Sequence, residues 1–387
     1  MNIHIAIISE QTLANLIPAL MARPDVVYLV CSRQMAERRL EQRLARLLRH
    51  EAIAVEVRGD APDVGLGEIH QYAYRLAEEI EAAHPGAAIV LNATGGTKLM
   101  SLGFVEAFRS IGANVIYTDT AHRRIEHLPD ASGAIQAPQA MHDVLDVPRY
   151  LAAQGFRFAS AVSDDPGWRE RAAERKAACK YLGQNAALIQ DFIGALNFLA
   201  DKALAGGETL VAPLQAFNNV PWKKWAEAAS QLVRHGLLRW QEGSAEIEFV
   251  DSESARFLHG GWLEEYAWHT LKDNGAWDAR LGVTGTWESG GNSKNEFDVL
   301  VSHGNQLLFI ECKTLRHKEE NDNTLAYKVD SLGQDARGLF GATWLVTARE
   351  PSPVLHERAR QARIRILGPN DLPRLREQVR AWLEAEA

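Results

Sequence analysis

The sequence predicts an α/β protein built from three parts, and the pattern of apolar residues along the chain supports this division. Residues 1–145 alternate apolar, β-rich segments with helical ones, which is typical of a parallel sheet with helical crossovers. Residues 146–255 have mainly helical patterns followed by a small hairpin, and residues 256–387 return to mixed strands and helices. A chain of 387 residues is also too long for one ordinary core, so several domains are expected.

The first part predicts a Rossmann-like domain. Each apolar segment is long enough for one buried strand, and a helical segment separates it from the next. Such alternation places helices on both faces of a parallel sheet. The residues that follow suggest a terminal hairpin and then a linker. The predicted strands cover residues 3–9, 26–32, 53–59, 87–94 and 114–120, and the predicted helices cover 12–22, 34–50, 67–84 and 97–112.

The central part, residues 146–255, predicts a linker and a winged-helix-like segment. Helical patterns at 185–204 and 222–236 precede a hairpin at 237–252, which is the order of a winged helix-turn-helix. Residues 163–183 suggest a connecting helix. Such modules bind DNA, but they also act as spacers or dimerisation units. The candidate recognition helix is not especially basic, so its role stays open.

Composition narrows the class of protein. The net charge of −8 argues against a protein that coats nucleic acid non-specifically, although it leaves room for a local basic groove. Three widely spaced cysteines fit neither a disulfide framework nor a zinc site, which favours a reducing cytoplasm. No apolar run is long enough for a membrane span, and the first residues have the pattern of a strand rather than a signal peptide. We therefore expect a cytoplasmic protein.

The segment "FDVLVSHGNQLLFIECKT", residues 297–314, places three charged residues in two apolar runs. Gly304 and Asn305 predict a two-residue hairpin turn. With that turn, Asp298 lies directly across from Glu311, and Lys313 shares their face because it lies two residues further along the strand. The sequence therefore predicts two carboxylates and an amine close together.

Two carboxylates at that distance repel each other, and a divalent cation would remove the repulsion. Mg²⁺ and Mn²⁺ prefer oxygen ligands, and such an ion makes a bound water more acidic and offsets charge on a phosphoryl oxygen. Lys313 would supply a fixed positive charge. The alternative is an ordinary cross-strand salt-bridge cluster on a solvated face.

A further acid is expected from the helical segment "GGWLEEYAWHTL". Its buried stripe contains Leu263, Tyr266 and Thr270, and Glu264 borders this stripe. Glu265 lines up with residues 269 and 272, which predicts that it faces solvent. Glu264 is therefore the inward candidate, with an ordinary surface glutamate as the alternative.

This order of elements resembles the PD-(D/E)XK nuclease superfamily, whose short motif appears here as Asp298, Glu311 and Lys313, over residues 256–387. The resemblance implies a restriction-endonuclease-like α/β domain. It also implies metal binding by Asp298, Glu311 and Glu264, with Lys313 as the catalytic lysine. Gln334, on the following helix, is an auxiliary candidate whose alternative is a surface glutamine.

The stretch "IVLNATGGTKLMSLG" places glycines between a buried strand and a helix. Glycines allow a phosphate to approach the backbone, and the amides at a helix N-terminus favour anions. Thr94, Thr97 and Lys98 add hydroxyl groups and a positive charge. Because the turn follows the fourth strand and has neither dinucleotide nor Walker spacing, a dehydrogenase is not favoured. A turn that merely needs glycine is the alternative.

This stretch resembles the signature of CARF domains, the CRISPR-associated Rossmann-fold sensors of cyclic oligoadenylates. Together with the nuclease-like part, the chain resembles the ancillary nucleases of type III CRISPR systems. The resemblance implies a homodimer that binds one ring, usually cyclic tetra-adenylate, across its two-fold axis. The residues it assigns to ligand binding, or that close strands at the same edge, are Ser9, Glu10, Gln11, Thr12, Cys31, Ser32, Asn92, Ala93, Thr94, Gly95, Gly96, Thr97, Lys98, Thr118 and Asp119.

We therefore expect a cyclic-oligoadenylate-activated, metal-dependent endonuclease that cleaves DNA or RNA in antiviral defence. One alternative is a ligand-responsive, DNA-binding transcription regulator with an inactive nuclease domain. Another is a restriction-type nuclease whose Rossmann-like domain is only structural. The sequence leaves open the choice between DNA and RNA, the strandedness of the substrate and the ring size of the activator.

Overall fold

The protein is described by a computed structural model covering residues 1–130, 132–290, 293–314, 319–338 and 341–385, with the side chains of residues 319–323 left undescribed. None of the helices in these residues combines the length and apolar character needed to span a membrane. The three cysteines are free, in agreement with their wide spacing in the sequence, and all three are buried.

The N-terminal sheet has seven strands in the order β3-β2-β1-β4-β5-β6-β7. The first five are parallel, which confirms the Rossmann-like prediction, and β6 and β7 extend the sheet antiparallel as a terminal hairpin. Helices cover both faces because the apolar strands have two buried sides. The strands are β1 (Asn2–Ile7), β2 (Val26–Val30), β3 (Ala54–Arg58), β4 (Ala88–Asn92), β5 (Asn114–Asp119), β6 (Arg124–His127) and β7 (Gln139–Ala140); the helices are α1 (Thr12–Ala22), α2 (Arg33–Glu37), α3 (Leu40–His50), α4 (Leu66–Ala83) and α5 (Lys98–Ser110).

One predicted helix is divided. The helix expected over residues 34–50 breaks at Arg39, which has a left-handed backbone with φ of 57°. The break separates α2 from α3 and lets α3 turn Leu40, Leu44 and Leu48 into the core. The pattern of apolar residues alone does not reveal such a break, since its period continues on either side.

The central part differs from its prediction in two places. Residues 156–161, expected in a linker, form a strand that pairs with the C-terminal sheet. The connecting helix and the next one merge into a single helix of 39 residues, which is irregular at Ile189. The predicted hairpin is present and gains a third strand. These elements are α6 (Val147–Gln154), β8 (Phe156–Ala161), α7 (Pro166–Leu204), β9 (Leu214–Ala216), α8 (Lys224–Arg234), β10 (Leu238–Trp240) and β11 (Glu246–Phe249).

The C-terminal sheet has six strands in the order β16-β15-β14-β13-β12-β8. Strands β14 to β16 are parallel and the others antiparallel, so the sheet is mixed. The elements are α9 (Ser252–Arg256), a π-helical turn (Phe257–Gly261), α10 (Trp262–Asp273), β12 (Asp278–Trp287), β13 (Lys294–His303), β14 (Gln306–Lys313), α11 (Glu319–Arg337), β15 (Ala342–Thr347), α12 (Pro353–Gln361), β16 (Ile364–Leu367) and α13 (Leu375–Leu383).

The two sheets are joined through one continuous apolar core. Residues of α1 and α3, of the bridging helix α6, and of β13 and β14 belong to the same buried cluster. Two hydrogen bonds mark the bridge: the Thr12 hydroxyl donates to the carbonyl oxygen of Ala153 (2.8 Å), and the Tyr150 hydroxyl donates to that of Arg337 (2.6 Å). Helix α6 therefore contacts both the start of α1 and the end of α11.

Candidate functional site

The hairpin β13–β14 has the turn and the register that the sequence predicts. Gly304 and Asn305 both have positive φ, at 58° and 57°, as a two-residue turn of the primed type requires. Five cross-strand pairs follow, from His303 with Gln306 to Val299 with Ile310. The paired ladder ends at this point, one step before Asp298 and Glu311.

The turn is held by the segment that leads into α6. The side-chain oxygen of Asn305 accepts hydrogen bonds from the amides of Val144 (2.9 Å) and Leu145 (3.2 Å), and its nitrogen donates to the carbonyl of His142 (2.8 Å). Arg123, between β5 and β6, donates to the side chain of Gln306 at 3.2 Å. The hairpin is thus fixed to the N-terminal domain at its turn, and the charged residues lie toward its other end.

Lys313 contacts both acids of the hairpin. Its Nζ lies 2.7 Å from Oε1 of Glu311 and 3.6 Å from Oδ2 of Asp298. The amide of Cys312 also donates to Asp298 Oδ2 at 2.7 Å, while the Cys312 side chain points into the core. Lys328 of α11 approaches Glu311 to 3.9 Å, a contact that sequence reasoning missed. Its signal would have been a lysine in the middle of a helix that packs on β14.

At Asp298, the two faces of strand β13 exchange the cores against which they pack. Phe297 packs in the core shared with the N-terminal domain, whereas Val299 packs in the core under α7 and α10. Residues two apart in a regular strand share a face, so the strand is irregular here. In β12, Gly282 has φ of 61°, which only glycine adopts without strain. The irregularity brings groups from both sides of the sheet to Asp298.

Electrostatics distinguish this group of residues from an ordinary surface cluster. Burial and then the neighbouring Glu311 raise the pKa of Asp298 to about 6. Burial and then Asp298 raise the pKa of Glu264 well above its usual value. Burial alone would lower the pKa of Lys313, but Asp298 and Glu311 outweigh it and raise that pKa. Glu311 is only 1% exposed, so the face is not solvated.

We call Glu264, Asp298, Glu311 and Lys313 the acid cluster. Three carboxylates against one buried amine leave an excess of negative charge, and carboxylate oxygens are the donors that Mg²⁺ and Mn²⁺ prefer. Among the described residues, these three acids do not converge to within 4.8 Å of one another. The donor chemistry therefore fits a hard divalent cation, and ion binding would draw the acids together.

The prediction for Glu265 is wrong. Glu265 and His269 are buried, because the long helix α7 covers the face of α10 that the sequence assigned to solvent. Arg175 donates to both carboxylate oxygens of Glu265, at 2.6 and 3.3 Å, and the Cys179 thiol lies 3.9 Å from it. We call Arg175, Cys179, Glu265 and His269 the paired cluster. Lys272 is exposed, as predicted.

Gln334 lies apart from the acid cluster. Its side chain is exposed and donates to Asp330 at 2.8 Å, one turn earlier in α11. Lys328, on the same helix, is the described residue that reaches Glu311. The auxiliary role implied for Gln334 gains no support from this placement.

The glycine-rich turn after β4 is built around Asn92. The side-chain oxygen of Asn92 accepts from the amide and hydroxyl of Thr94, at 3.1 and 2.6 Å, and the hydroxyl of Thr94 accepts from the amide of Thr118 at 2.6 Å. A Cβ on Gly95 would lie 1.8 Å from the carbonyl oxygen of Ile7. The glycine is therefore needed for packing against β1, whatever ligand the loop holds.

The predicted ligand-binding residues meet at the carboxyl edge of the N-terminal sheet, but they differ in exposure. Thr97 caps α5 by accepting from the amide of Met100 at 3.2 Å. Accessible or partly accessible positions are Ser9, Glu10, Gln11, Thr94, Gly96, Thr97, Lys98 and Asp119; buried positions are Thr12, Cys31, Ser32, Asn92, Ala93, Gly95 and Thr118. The buried group supports the loops from beneath.

Comparisons with known proteins agree with both domains. The family model described as the Card1 CARF domain matches residues 3–150, and that described as the Card1-like endonuclease domain matches residues 251–386. Searching curated proteins returned no match.

Solved structures share the whole architecture. Protein VC1899 from Vibrio cholerae aligns over 100% of this chain and 99% of its own, with a TM-score of 0.86 and 22% identity. Can2 from Sulfobacillus thermosulfidooxidans, solved in complex with cyclic tetra-adenylate, aligns over 99% and 98%, with a TM-score of 0.76 and 22% identity. A type III CRISPR defence DNA nuclease activated by cyclic oligoadenylate aligns over 91% of this chain and 47% of its own, with a TM-score of 0.52 and 20% identity. The chain therefore contains a CARF domain of the Card1 type at residues 3–150 and a Card1-like endonuclease domain at residues 251–386.

Proposed function

We propose that this protein is a metal-dependent endonuclease switched on by cyclic tetra-adenylate. The observation that carries the proposal is the acid cluster, three carboxylates and a lysine held at an irregular point of the sheet within an endonuclease domain. Carboxylates removed from water without enough neighbouring cations lower the stability of the folded protein, so such a cluster points to a functional site.

Glu264, Asp298 and Glu311 would hold Mg²⁺ or Mn²⁺. The ion would supply an acidified water and neutralise charge on the phosphoryl group. Lys313 keeps its proton, because both neighbouring acids favour its charged form. Its ammonium group can therefore donate to a phosphate oxygen as negative charge builds up there. Glu311, held by Lys313 at 2.7 Å, stays in a fixed position during this change.

The ligand would bind at the carboxyl edge of the N-terminal sheet. Lys98 is exposed and Thr97 starts α5, so a phosphate there meets a positive charge and free helix amides. Similarity to Can2, which was solved with cyclic tetra-adenylate, supports this ligand class. A ring with repeated units suits a homodimer, since each protomer presents the same loop to one half.

Helix α6 offers a route for activation. Thr12, the first residue of α1 and directly after the loop that follows β1, contacts the end of α6. Tyr150 of α6 contacts α11, which carries Lys328. A ligand that favours one position of the loop would also favour one position of α11 beside Glu311. Activation would then be a shift between two arrangements of the same core.

The test is a cleavage assay with labelled DNA and RNA, single- and double-stranded, with Mn²⁺ and with cyclic oligoadenylates of each ring size in turn. We expect cleavage only with both metal and cyclic tetra-adenylate, and its loss in Glu311→Gln. Glu384→Gln, at an exposed acid directly after the last helix, is the matched control. If Glu311→Gln keeps activated cleavage, the nuclease assignment fails. Site-specific protection without cleavage would favour a transcription regulator, and ligand-independent, site-specific cutting a restriction-type enzyme.

A further inference from the structure

The central part carries a groove of about 620 Å³ between the second half of α7 and the loop before α8. Two large aromatic side chains stand exposed at its sides, Phe198 at 55% and Trp222 at 72%. Its floor is a cluster of three rings, Phe192, Phe217 and Trp225, whose centroids lie 5.5 to 5.7 Å apart. The exposed rings thus stand on a rigid, packed base.

Positive charge lies directly on these exposed rings. Lys202 Nζ is 4.4 Å from the ring centre of Phe198, and Lys223 Nζ is 3.9 Å from that of Trp222. None of the described residues lining the groove is acidic, although the whole chain has a net charge of −8. Lys223 also has φ of 51°, a strained conformation for a lysine, which places its amine over the indole.

Polar groups that could read a base edge complete the groove. Asn218 and Asn219 line it and are exposed, and each side-chain amide offers both donors and an acceptor. Flat rings, amines and amides together match the three parts of a nucleotide: the base face, the phosphate and the base edge. An apolar helix or a second copy of this chain would leave the two amines without anions.

The groove lies close to the acid cluster. Asn197, the residue before Phe198, donates to the Thr314 hydroxyl at 2.9 Å, and Thr314 directly follows Lys313. Asn197 also donates to the carbonyl oxygen of His259, just before α10. One side of this turn of α7 therefore supports the end of the catalytic strand, while the neighbouring side forms the wall of the groove.

We propose that the groove stacks unpaired nucleobases of a single-stranded nucleic acid and so holds the chain that leads into the acid cluster. The role of this binding in positioning a substrate rests on the proposed nuclease function. The binding itself requires neither metal nor cleavage. Paired bases are already stacked in a duplex and cannot cover Phe198 or Trp222, so unpaired strands are favoured.

The experiment measures fluorescence anisotropy of a labelled oligothymidylate with the full-length protein in EDTA, where cleavage is absent. We expect about tenfold weaker binding for Trp222→Ala, a larger loss for the double variant with Phe198→Ala, and near wild-type binding for Trp222→Phe. Trp277→Ala is the matched control, since Trp277 is 56% exposed and lies outside the groove. It should stay within about twofold of the unmodified protein.

An abasic oligonucleotide of equal length separates stacking from charge. Trp222→Ala should not weaken its binding, whereas the double variant Lys202→Gln, Lys223→Gln should weaken binding of both oligonucleotides. Unchanged oligothymidylate binding by Trp222→Ala would overturn the proposal, as would an equal loss for the abasic strand. A change in sedimentation without a change in binding would assign the groove to self-association. If activated cleavage is absent but stacking persists, only the proposed function fails.

Discussion

Glu264 and Glu265 are neighbours on α10, yet they belong to opposite kinds of site. Glu265 is 4% exposed and is satisfied on both oxygens by Arg175, within the paired cluster. Glu264 has no hydrogen-bond partner among the described residues, and burial together with Asp298 raises its pKa. One step along the helix therefore separates an acid that is neutralised by an arginine from an acid that lies beside another carboxylate.

If only the distances between ligand atoms were considered, the paired cluster would be chosen as the metal site instead of the acid cluster. Cys179, Glu265 and His269 have their ligand atoms within 4.8 Å of one another, closer than the three acids of the acid cluster. However, Arg175 already neutralises Glu265, and the His269 ring lies 2.9 Å from the carbonyl oxygen of Ala172. Unbalanced charge, rather than short distance, is therefore the feature on which the proposed metal site rests.

The largest expected effect is on cleavage by Glu264→Ala. Loss of one proposed metal ligand should lower kcat by on the order of 10² to 10³, whereas stability should hold or rise slightly because a partly buried acid that repels Asp298 is removed. Single-turnover cleavage with saturating Mn²⁺ and cyclic tetra-adenylate measures the first effect, and urea unfolding the second. If Glu264→Ala cleaves as fast as the unmodified protein, Glu264 is an ordinary glutamate and does not bind the metal.

Glu265→Ala should have the opposite effects, so that stability falls and cleavage is retained. Arg175 would lose its principal partner in a buried position, so the free energy of unfolding should fall by about 3 kcal/mol. Cleavage per folded molecule should stay close to that of the unmodified protein. Tryptophan fluorescence in urea follows the loss well, because Trp168 and Trp268 pack beside this face.

A paired replacement provides the control for Glu265. Exchanging both partners for apolar residues, as in Arg175→Met with Glu265→Leu, should recover most of the stability, since no buried charge is left alone. If Glu265→Ala is as stable as the unmodified protein, Arg175 is not held by this ion pair. If it loses cleavage while it stays folded, the two clusters are not separate.

The protonation of the acid cluster determines how metal affinity should change with pH. The pKa of Asp298 is raised to about 6 in the metal-free protein, so this acid is protonated below that pH and ionised above it. A cation must displace this proton and that of Glu264, whose pKa is also raised, so Mn²⁺ affinity should fall as the pH is lowered through 6, by about tenfold per pH unit for each acid that is protonated. Calorimetric titration with Mn²⁺ between pH 5 and 8 measures the slope, and an affinity that does not change over this range contradicts the assignment.

The sequence predicts well what depends on neighbouring residues. The hairpin register follows from Gly304 and Asn305, because a two-residue turn fixes every pair after it. The burial of Glu265 could not be predicted, since its partner Arg175 lies 90 residues away along the chain. The strand β8 was missed for the same reason: its pairing with β12 closes a loop of more than a hundred residues.

The smallest effect should come from the second lysine near Glu311. Lys328 lies 3.9 Å from Glu311 with a side chain that is 61% exposed, whereas Lys313 lies at 2.7 Å and is 26% exposed. Water and salt screen an exposed pair, so Lys328→Gln should change kcat by less than about twofold, and Lys313→Gln far more. Parallel cleavage assays at low and high salt measure both. A large, salt-sensitive loss in Lys328→Gln would mean that α11 closes over the acid cluster during catalysis, and the cluster would then be completed only in the activated state.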